Sequence, residues 1–382
     1  MTPETRNTIL KFIVVEAVDR RGEAVRKNST GRSRVGIRQI AHELGLSVCT
    51  VSKILNNKLE NISYRPETIQ RVRAAAAGYR PDLIARALVK GSTRSIGLCV
   101  ADIANPLLGE LTSRIAALAA EQGYSCAICN TGEDPQMEER HLQQLMDRRV
   151  DAIIISPVAK QSAVMLREAV AAGRRVVVVD RDLPGKDFCH VEINNREAMA
   201  DLTRRCLALG HRRIGVLAGR REDVSLQLRL AGAQDALASW NMDARKSLVV
   251  SEACDSTTIE AGQIGMVELL KSSLRPTLIL SLANQLSIGA LHGAKAAGVA
   301  IGRDVAFAGF DDFESATLVE PAITVVAQPI ASIAAACADF ALSQSADKPG
   351  QKCCLKARIR WRDSVCSSSD CRRWPPSAFS KR

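Results

Sequence analysis

Aromatic side chains are scarce in this 382-residue chain, at 3%, and no window approaches the roughly 18 uninterrupted apolar residues that a membrane helix needs. A membrane span is therefore not expected. The apolar stretch 9–18 is broken by Lys11 and Glu16 and leads to no small-residue cleavage site, so a signal peptide is not expected either. No glycine-rich phosphate loop follows a strand pattern, and no His, Cys, Asp and Glu group has metal-ligand spacing. His42, His141, His190, His211 and His292 are scattered, with no evident nucleophile partner. These absences argue against an enzyme, a bound metal and a cofactor. Twelve cysteines are present but dispersed. Cys126 and Cys129 form a Cys-x-x-Cys, yet they lie in a strand pattern, where residues three apart face opposite sides. Buried, reduced thiols of a cytoplasmic protein are the expectation.

The chain is long enough for two or three domains, and its 46% apolar content supports sizeable cores. Charge is unevenly placed. Residues 1–34 carry +4, residues 35–95 carry +6 and residues 351–382 carry +7, which leaves −6 on residues 96–350 of a total of +11. A basic head and tail flank an acidic body, so polyanion binding is expected at an end of the chain.

At the head, Ile37, Ile40, Ala41 and Leu44 repeat at helical spacing, Gly45 suits a left-handed stop, and Ser47 suits the cap of a second helix. Val51, Ile54 and Leu55 give that second helix an inward stripe, leaving Val48, Cys49, Ser52 and Lys53 outward. Two short helices joined by a three-residue turn read as a helix-turn-helix. The plain alternative is a helical hairpin inside a core. Pro66 and Glu67 open a third helical pattern that ends at Gly78.

From Ser95 the texture changes. Short apolar runs at 96–101, 124–129, 152–156, 176–180, 214–218, 277–281 and 305–310 alternate with helical patterns near 107–121, 136–148, 161–172, 196–209, 226–239, 258–272 and 285–297. Such alternation predicts an α/β body of parallel sheets covered on both faces. Its size predicts two doubly wound lobes with a ligand cleft at the carboxyl ends of the strands. The expected divisions are an extension at 1–34, a helix-turn-helix domain at 35–80, a short helical segment and linker at 81–94, a two-lobed domain at 95–363, and a disordered polar tail at 364–382.

Residues 35–363 resemble the lactose/purine-repressor (LacI/GalR) family of bacterial transcription regulators. The carriers include Val48-Cys49-Thr50-Val51-Ser52, Gly78-Tyr79-Arg80-Pro81, Ala85-Arg86-Ala87-Leu88, Asp102-Ile103-Ala104-Asn105-Pro106, Leu209-Gly210-His211-Arg212-Arg213, Gly309-Phe310-Asp311-Asp312 and Thr324-Val325-Val326-Ala327-Gln328-Pro329. The resemblance implies a three-helix DNA-binding head and a periplasmic-binding-protein-like body. It makes 81–94 a hinge helix and linker and 95–363 an effector-binding and dimerisation domain. It makes Val48, Cys49 and Lys53 base-reading positions and Ser47, Thr50 and Ser52 phosphate or cap positions. Leu88 falls where the family wedges a leucine into the minor groove. Asp223, Ser225, Arg229, Asn284 and Asp311 fall at effector-contact positions. Leu107, Leu108 and Thr257 stand where many relatives carry aromatic rings, which weakens the case for a stacked ligand. Arg65 stands in place of a usual capping serine. The implied protein is a cytoplasmic homodimer, since its tail lacks leucine heptads. It would bind double-stranded operator DNA, most often as a repressor, under control of an effector such as a sugar or sugar acid. The alternative is a solute-binding protein of the same two-lobed fold.

Overall fold

The computed structural model describes residues 36–56, 64–76, 91–254, 256–343 and 350–369. Leu88, most of the hinge, the extension 1–34 and residues 370–382 lie outside the described residues. The chain divides into two units, Met1–Val89 and Lys90–Arg382.

In the first unit, helix α1 (Ile37–Leu44) ends on Gly45, whose φ of 66° is left-handed and whose N–H returns to the carbonyls of Ala41 and His42. Ser47 then caps α2 (Val48–Leu55) by accepting the Thr50 N–H at 3.0 Å. The third helix, α3 (Pro66–Ala75), has Pro66 and Glu67 in its first turn, while Arg65 provides no side-chain cap. Ile40, Ala41, Val51, Ile54 and Val72 are buried together, so all three helices share one small core.

The second unit holds two six-stranded sheets. Lobe 1 contains β1 (Ser95–Val100), β2 (Ser125–Asn130), β3 (Ala152–Ile155), β4 (Arg175–Val179), β5 (Cys189–Ile193) and β11 (Lys352–Leu355), in the order β11-β5-β4-β3-β1-β2 and all parallel. Lobe 2 contains β6 (Ile214–Leu217), β7 (Leu248–Val250), β8 (Leu278–Ser281), β9 (Ala306–Phe310), β10 (Thr324–Ala327) and β12 (Arg358–Arg360), in the order β12-β10-β9-β8-β6-β7. Only β12 in that sheet is antiparallel to its neighbour. The helices are α4 (Pro106–Glu121), α5 (Pro135–Asp147), α6 (Ser162–Ala171), α7 (Asn195–Ala208), α8 (Val224–Ser239), the single turn α9 (Ala244–Ser247), α10 (Ile259–Lys271), α11 (Asn284–Ala296) and α12 (Ile330–Leu342).

The two sheets repeat one plan. Each begins with its second-innermost strand, crosses the switch point after the second, and ends on a strand returned from the other lobe. The chain passes between lobes three times: from β5 to α7, from β10 to α12, and from β11 to β12. Continuous burial along β3, β6, β8, β9 and β10 explains their unbroken apolar runs. In lobe 2, α10 and α11 meet backbone to backbone. A Cβ on Gly289 would lie 2.0 Å from the Ile259 carbonyl oxygen, and one on Gly262 would lie 2.4 Å from that of Leu286.

Two expectations change. The polar tail was placed from Ser364 onward, but residues 364–369 pack against lobe 2. The buried Ser364 hydroxyl donates to the Phe307 carbonyl at 2.6 Å and accepts the Thr324 N–H at 2.8 Å. His211 Nε2 and the Cys366 carbonyl are 2.9 Å apart, and the Ser368 N–H reaches the Leu209 carbonyl. The Ser364 hydroxyl here satisfies buried backbone groups of β9 and β10, which composition alone does not reveal. Cys126 and Cys129 do face opposite sides of β2, one against each core, but β2 is an edge strand and both thiols are only half-buried.

Candidate DNA-reading face and effector cleft

On α2, Val48 is 44% exposed and Cys49 is exposed, so the two side chains at the start of the helix point away from the small core. Ser47 and Thr50 partly satisfy each other, with their hydroxyl oxygens 2.9 Å apart. Ser52 takes the Asn56 amide at 3.3 Å. Ser52 and Lys53 are half-buried on the flank of the helix. The face therefore combines two small apolar groups, hydroxyls and one cation. A major groove offers thymine methyls and phosphates to such a set.

In the body, the carboxyl ends of β4 and β9 carry equivalent acids. Asp180 follows β4 and Asp311 follows β9, each the fourth strand from the β2 or β7 edge of its sheet, and both have φ of 68°. A non-glycine residue in this region is uncommon and often marks a functional site. Asp311 is 4% exposed and accepts the Gln328 amide at 2.7 Å. Burial pushes its carboxyl upward, against the opposing pull of Arg229 and Gln328. Arg229, on α8, is fully enclosed. Its Nε donates to Asn195 Oδ1 at 2.7 Å, and its Nη1 donates to the Leu282 carbonyl at 2.6 Å and lies 3.7 Å from Asp311 Oδ2. The guanidinium carbon sits 3.7 Å from the Phe310 ring centroid, a cation–π contact that fixes the plane of the fork.

Asp223 caps α8 through the Ser225 N–H at 2.9 Å and meets Arg181 Nε at 3.2 Å. Ser225 Oγ donates across the cleft to the Asp180 carbonyl at 2.6 Å. Asn284, fully buried at the start of α11, donates its amide to Asn105 Oδ1 of lobe 1 at 2.9 Å. Burial works against ionisation of Glu133, but hydrogen bonds and charge from Arg181, with Arg220 beside it, hold its carboxyl below the usual range.

The structure thus brings Asp223, Ser225, Arg229, Asn284 and Asp311 together. It adds Asn105, Glu133, Asp180, Arg181, Asn195 and Gln328, which the sequence reading did not single out. Asp180 had a visible signal, a carboxylate directly after the run Val176–Val179, the same signal that marks Asp311 after β9. Leu107 is buried and lines a cavity with Asp180 and Gln328. Leu108 is buried in an apolar cluster with Ala101 and Leu107. Thr257 accepts the Arg220 N–H at 3.3 Å and lies close to Gly219, apart from the Arg229 group. A second pocket between the lobes runs from 157–160 and Arg181 to Arg220 and Asp223. Among the described residues, no group of three acids, cysteines or histidines could hold a metal, and no helix is long and apolar enough to cross a membrane.

Residues 203–365 match the family model of the periplasmic binding protein-like domain. Over 341 residues the chain is 29% identical to the HTH-type transcriptional regulator GalS of Salmonella typhimurium, covering 87% of this chain and 98% of that protein. It is 28% identical to the HTH-type transcriptional regulator GalR of Escherichia coli, covering 82% and 90%. Among solved structures, the lac repressor dimer bound to operator and an anti-inducer aligns with a TM-score of 0.74 at 23% identity, covering 87% of this chain and all of that one. A LacI family regulator from Enterococcus faecium with bound ribose aligns with a TM-score of 0.66 at 24% identity, covering 72% and 99%.

Proposed function

We propose a function from one premise: the chain belongs to the LacI/GalR family of bacterial transcription regulators. It is a ligand-controlled, DNA-binding regulator and not an enzyme. In finer terms, it acts in the cytoplasm as a homodimeric repressor. Val48, Cys49 and Lys53 read base edges, Ser47, Thr50 and Ser52 hold phosphates or cap the helix, and Leu88 wedges into the minor groove of the operator. The helix-turn-helix unit favours this reading over a solute-binding protein of the same two-lobed fold.

The effector is a small molecule of the sugar class. The observation that carries this is the enclosed Arg229–Asp311 pair, set beside Asn284 at the carboxyl ends of the lobe 2 strands and opposite Asp180 and Asn105 of lobe 1. Fixed forks and carboxylates at close range suit a ligand with many hydroxyls, each able to donate and accept. The names of relatives agree with this class, including a ribose operon repressor of Haemophilus influenzae at 26% identity. Effector binding acts by changing how the lobes close on one another, and the reading helices respond through the hinge. Differential affinity for two closures is the only source of such control.

A gel shift of genomic promoter fragments, with and without a panel of sugars, tests this directly. Retarded DNA that is released or further retained by one sugar is the expected result. Absence of any specific retarded band would overturn the regulator reading.

A further inference from the structure

The charges of the cleft do not balance within the protein. Glu133 is shared by Arg181 and Arg220, Arg181 also meets Asp223, and Arg229 meets Asp311. Three guanidinium groups thus serve Glu133, Asp223 and Asp311. Asp180 is the fourth carboxylate, and among the described residues it joins no ion pair within 4.0 Å. Its side chain takes the Ser156 hydroxyl at a long 3.4 Å. Its position is nonetheless central: it lines the inner cavity with Leu107, Val179 and Gln328, and Arg181, Asp223, Arg229 and Asp311 all act on it.

Arg229 and Arg181 are held in fixed orientations. Arg229 is committed to Asn195, the Leu282 carbonyl and the Phe310 ring, and Arg181 to Glu133 and Asp223. Within this inner group, Glu133, Asp180, Asp223 and Asp311 outnumber Arg181, Arg220 and Arg229 by one, while Lys160, Asp182 and Glu222 line the outer pocket between the lobes.

Building on the regulator reading, we propose that the effector is a sugar-like molecule bearing a positively charged amino group, that this ammonium docks on Asp180, and that anionic sugars are disfavoured. Its hydroxyls meet Asp311, Arg229 and Asn284. Burial drives the Asp180 carboxyl up to about 6, with Asp223 and Asp311 adding to the rise and Arg181 and Arg229 opposing it. An ammonium supplies the direct ion-pair partner that Asp180 lacks among the described residues. A sugar acid or phosphate at this inner position would enter against Asp180, Asp223 and Asp311. Near pH 6 the ammonium displaces the proton from Asp180, so binding releases protons to the buffer.

Isothermal titration of the full chain against matched hexose, 2-amino hexose and aldonic acid, each in gluco, galacto and manno configuration, tests this. In at least one configuration the amino sugar should bind about tenfold more tightly than the hexose, as expected of a charge-assisted hydrogen bond, and the acid more weakly than either. Heats measured at pH 6 in buffers of different ionisation enthalpy should show proton release. In Asp180→Asn the amino and neutral sugars should bind alike, with no proton release. If that variant does not fold, the ranking and proton release in the parent protein decide alone. Equal binding of amino and neutral sugars, tightest binding by an acid, or no binding by any of the nine compounds overturns the proposal. An operator gel shift on the same preparation separates the two levels: DNA binding without amino-sugar preference removes only this inference, whereas absent DNA binding removes the reading beneath it.

Discussion

Asn284 donates its side-chain amide to Asn105 Oδ1 at 2.9 Å, and this one bond ties the first turns of two helices that belong to different lobes. Asn105 also accepts the Leu107 N–H at 3.0 Å, and Asn284 Oδ1 accepts the Gln285 N–H at 2.7 Å. Both side chains are held by their own helix before they meet. Ser225 to the Asp180 carbonyl and Arg181 to Asp223 bridge the same gap.

Asn284→Ala removes the bridge and leaves Asn105 to its helix. A neutral hydrogen bond of this kind contributes about 1 kcal/mol, so losing the bridge together with a direct effector contact should lower effector affinity by at least roughly fivefold. Titration calorimetry with the best-binding sugar reads the change. An unaltered affinity would show that the bridge does not belong to the liganded closure.

Asp311→Asn should abolish the effector response while operator binding persists, since the carboxylate lies in the cleft of the body and the reading helices form a separate unit. Arg229→Ala goes further, because it strands Asp311 without its partner in an enclosed site. Breaking a buried pair costs about 3–5 kcal/mol. Thermal denaturation should therefore separate the two variants, with only Arg229→Ala strongly destabilised. A normal effector response from either variant would take that residue out of the site.

Asp180 links stability to pH with a known sign. Its folded-state value of about 6 lies above the ordinary value for an aspartate, so the folded protein holds the extra proton. The contribution is fully present below about pH 4 and is lost as pH rises through 6. Asp180→Asn carries no such dependence. Without ligand, the variant should melt higher than the parent at pH 8, and the gap should close by pH 4. A constant gap across that range would mean that Asp180 does not titrate as described.

Operator binding by a dimer with on the order of 10 phosphate contacts should give a log–log salt slope near −9. Fluorescence anisotropy between low and moderate salt measures it. A slope near zero, or a footprint over one unrepeated half-site, contradicts a dimeric reader.

Cys49 stands exposed in the first turn of α2. Alkylation adds bulk where the helix approaches base edges, so it should weaken operator binding, and bound operator should protect the thiol. Cys49→Ala should bind DNA and resist the reagent. Equal sensitivity in that variant would point to one of the buried cysteines instead.

The sequence displayed the central features of this fold where local physics and tertiary placement agree. The runs that became β3, β4, β8 and β9 are apolar because both faces are covered, and the Gly45–Ser47 turn carries its own stop and cap. β11 and β12 were missed because they are short edge strands, Lys352–Leu355 and Arg358–Arg360, whose outward residues are polar. α12 was missed for the opposite reason: Ile330–Leu342 is apolar almost all round, so no stripe marks its period. In the cleft, Arg229 and Asp311 were legible through resemblance. Asn105, Glu133 and Arg181 become neighbours of that group only because the chain crosses between lobes, and no local pattern encodes such an encounter.

The contact of α10 with α11 at Gly262 and Gly289 bears on how a signal leaves the cleft. Flexible side chains between helices act as cushions that absorb small displacements by changing rotamer. Here the carbonyls of Ile259 and Leu286 abut bare Cα atoms, and there is nothing to compress. Asn284 begins one of those helices. A displacement at that amide should therefore move α10 and α11 as one body, like play removed from a gear train.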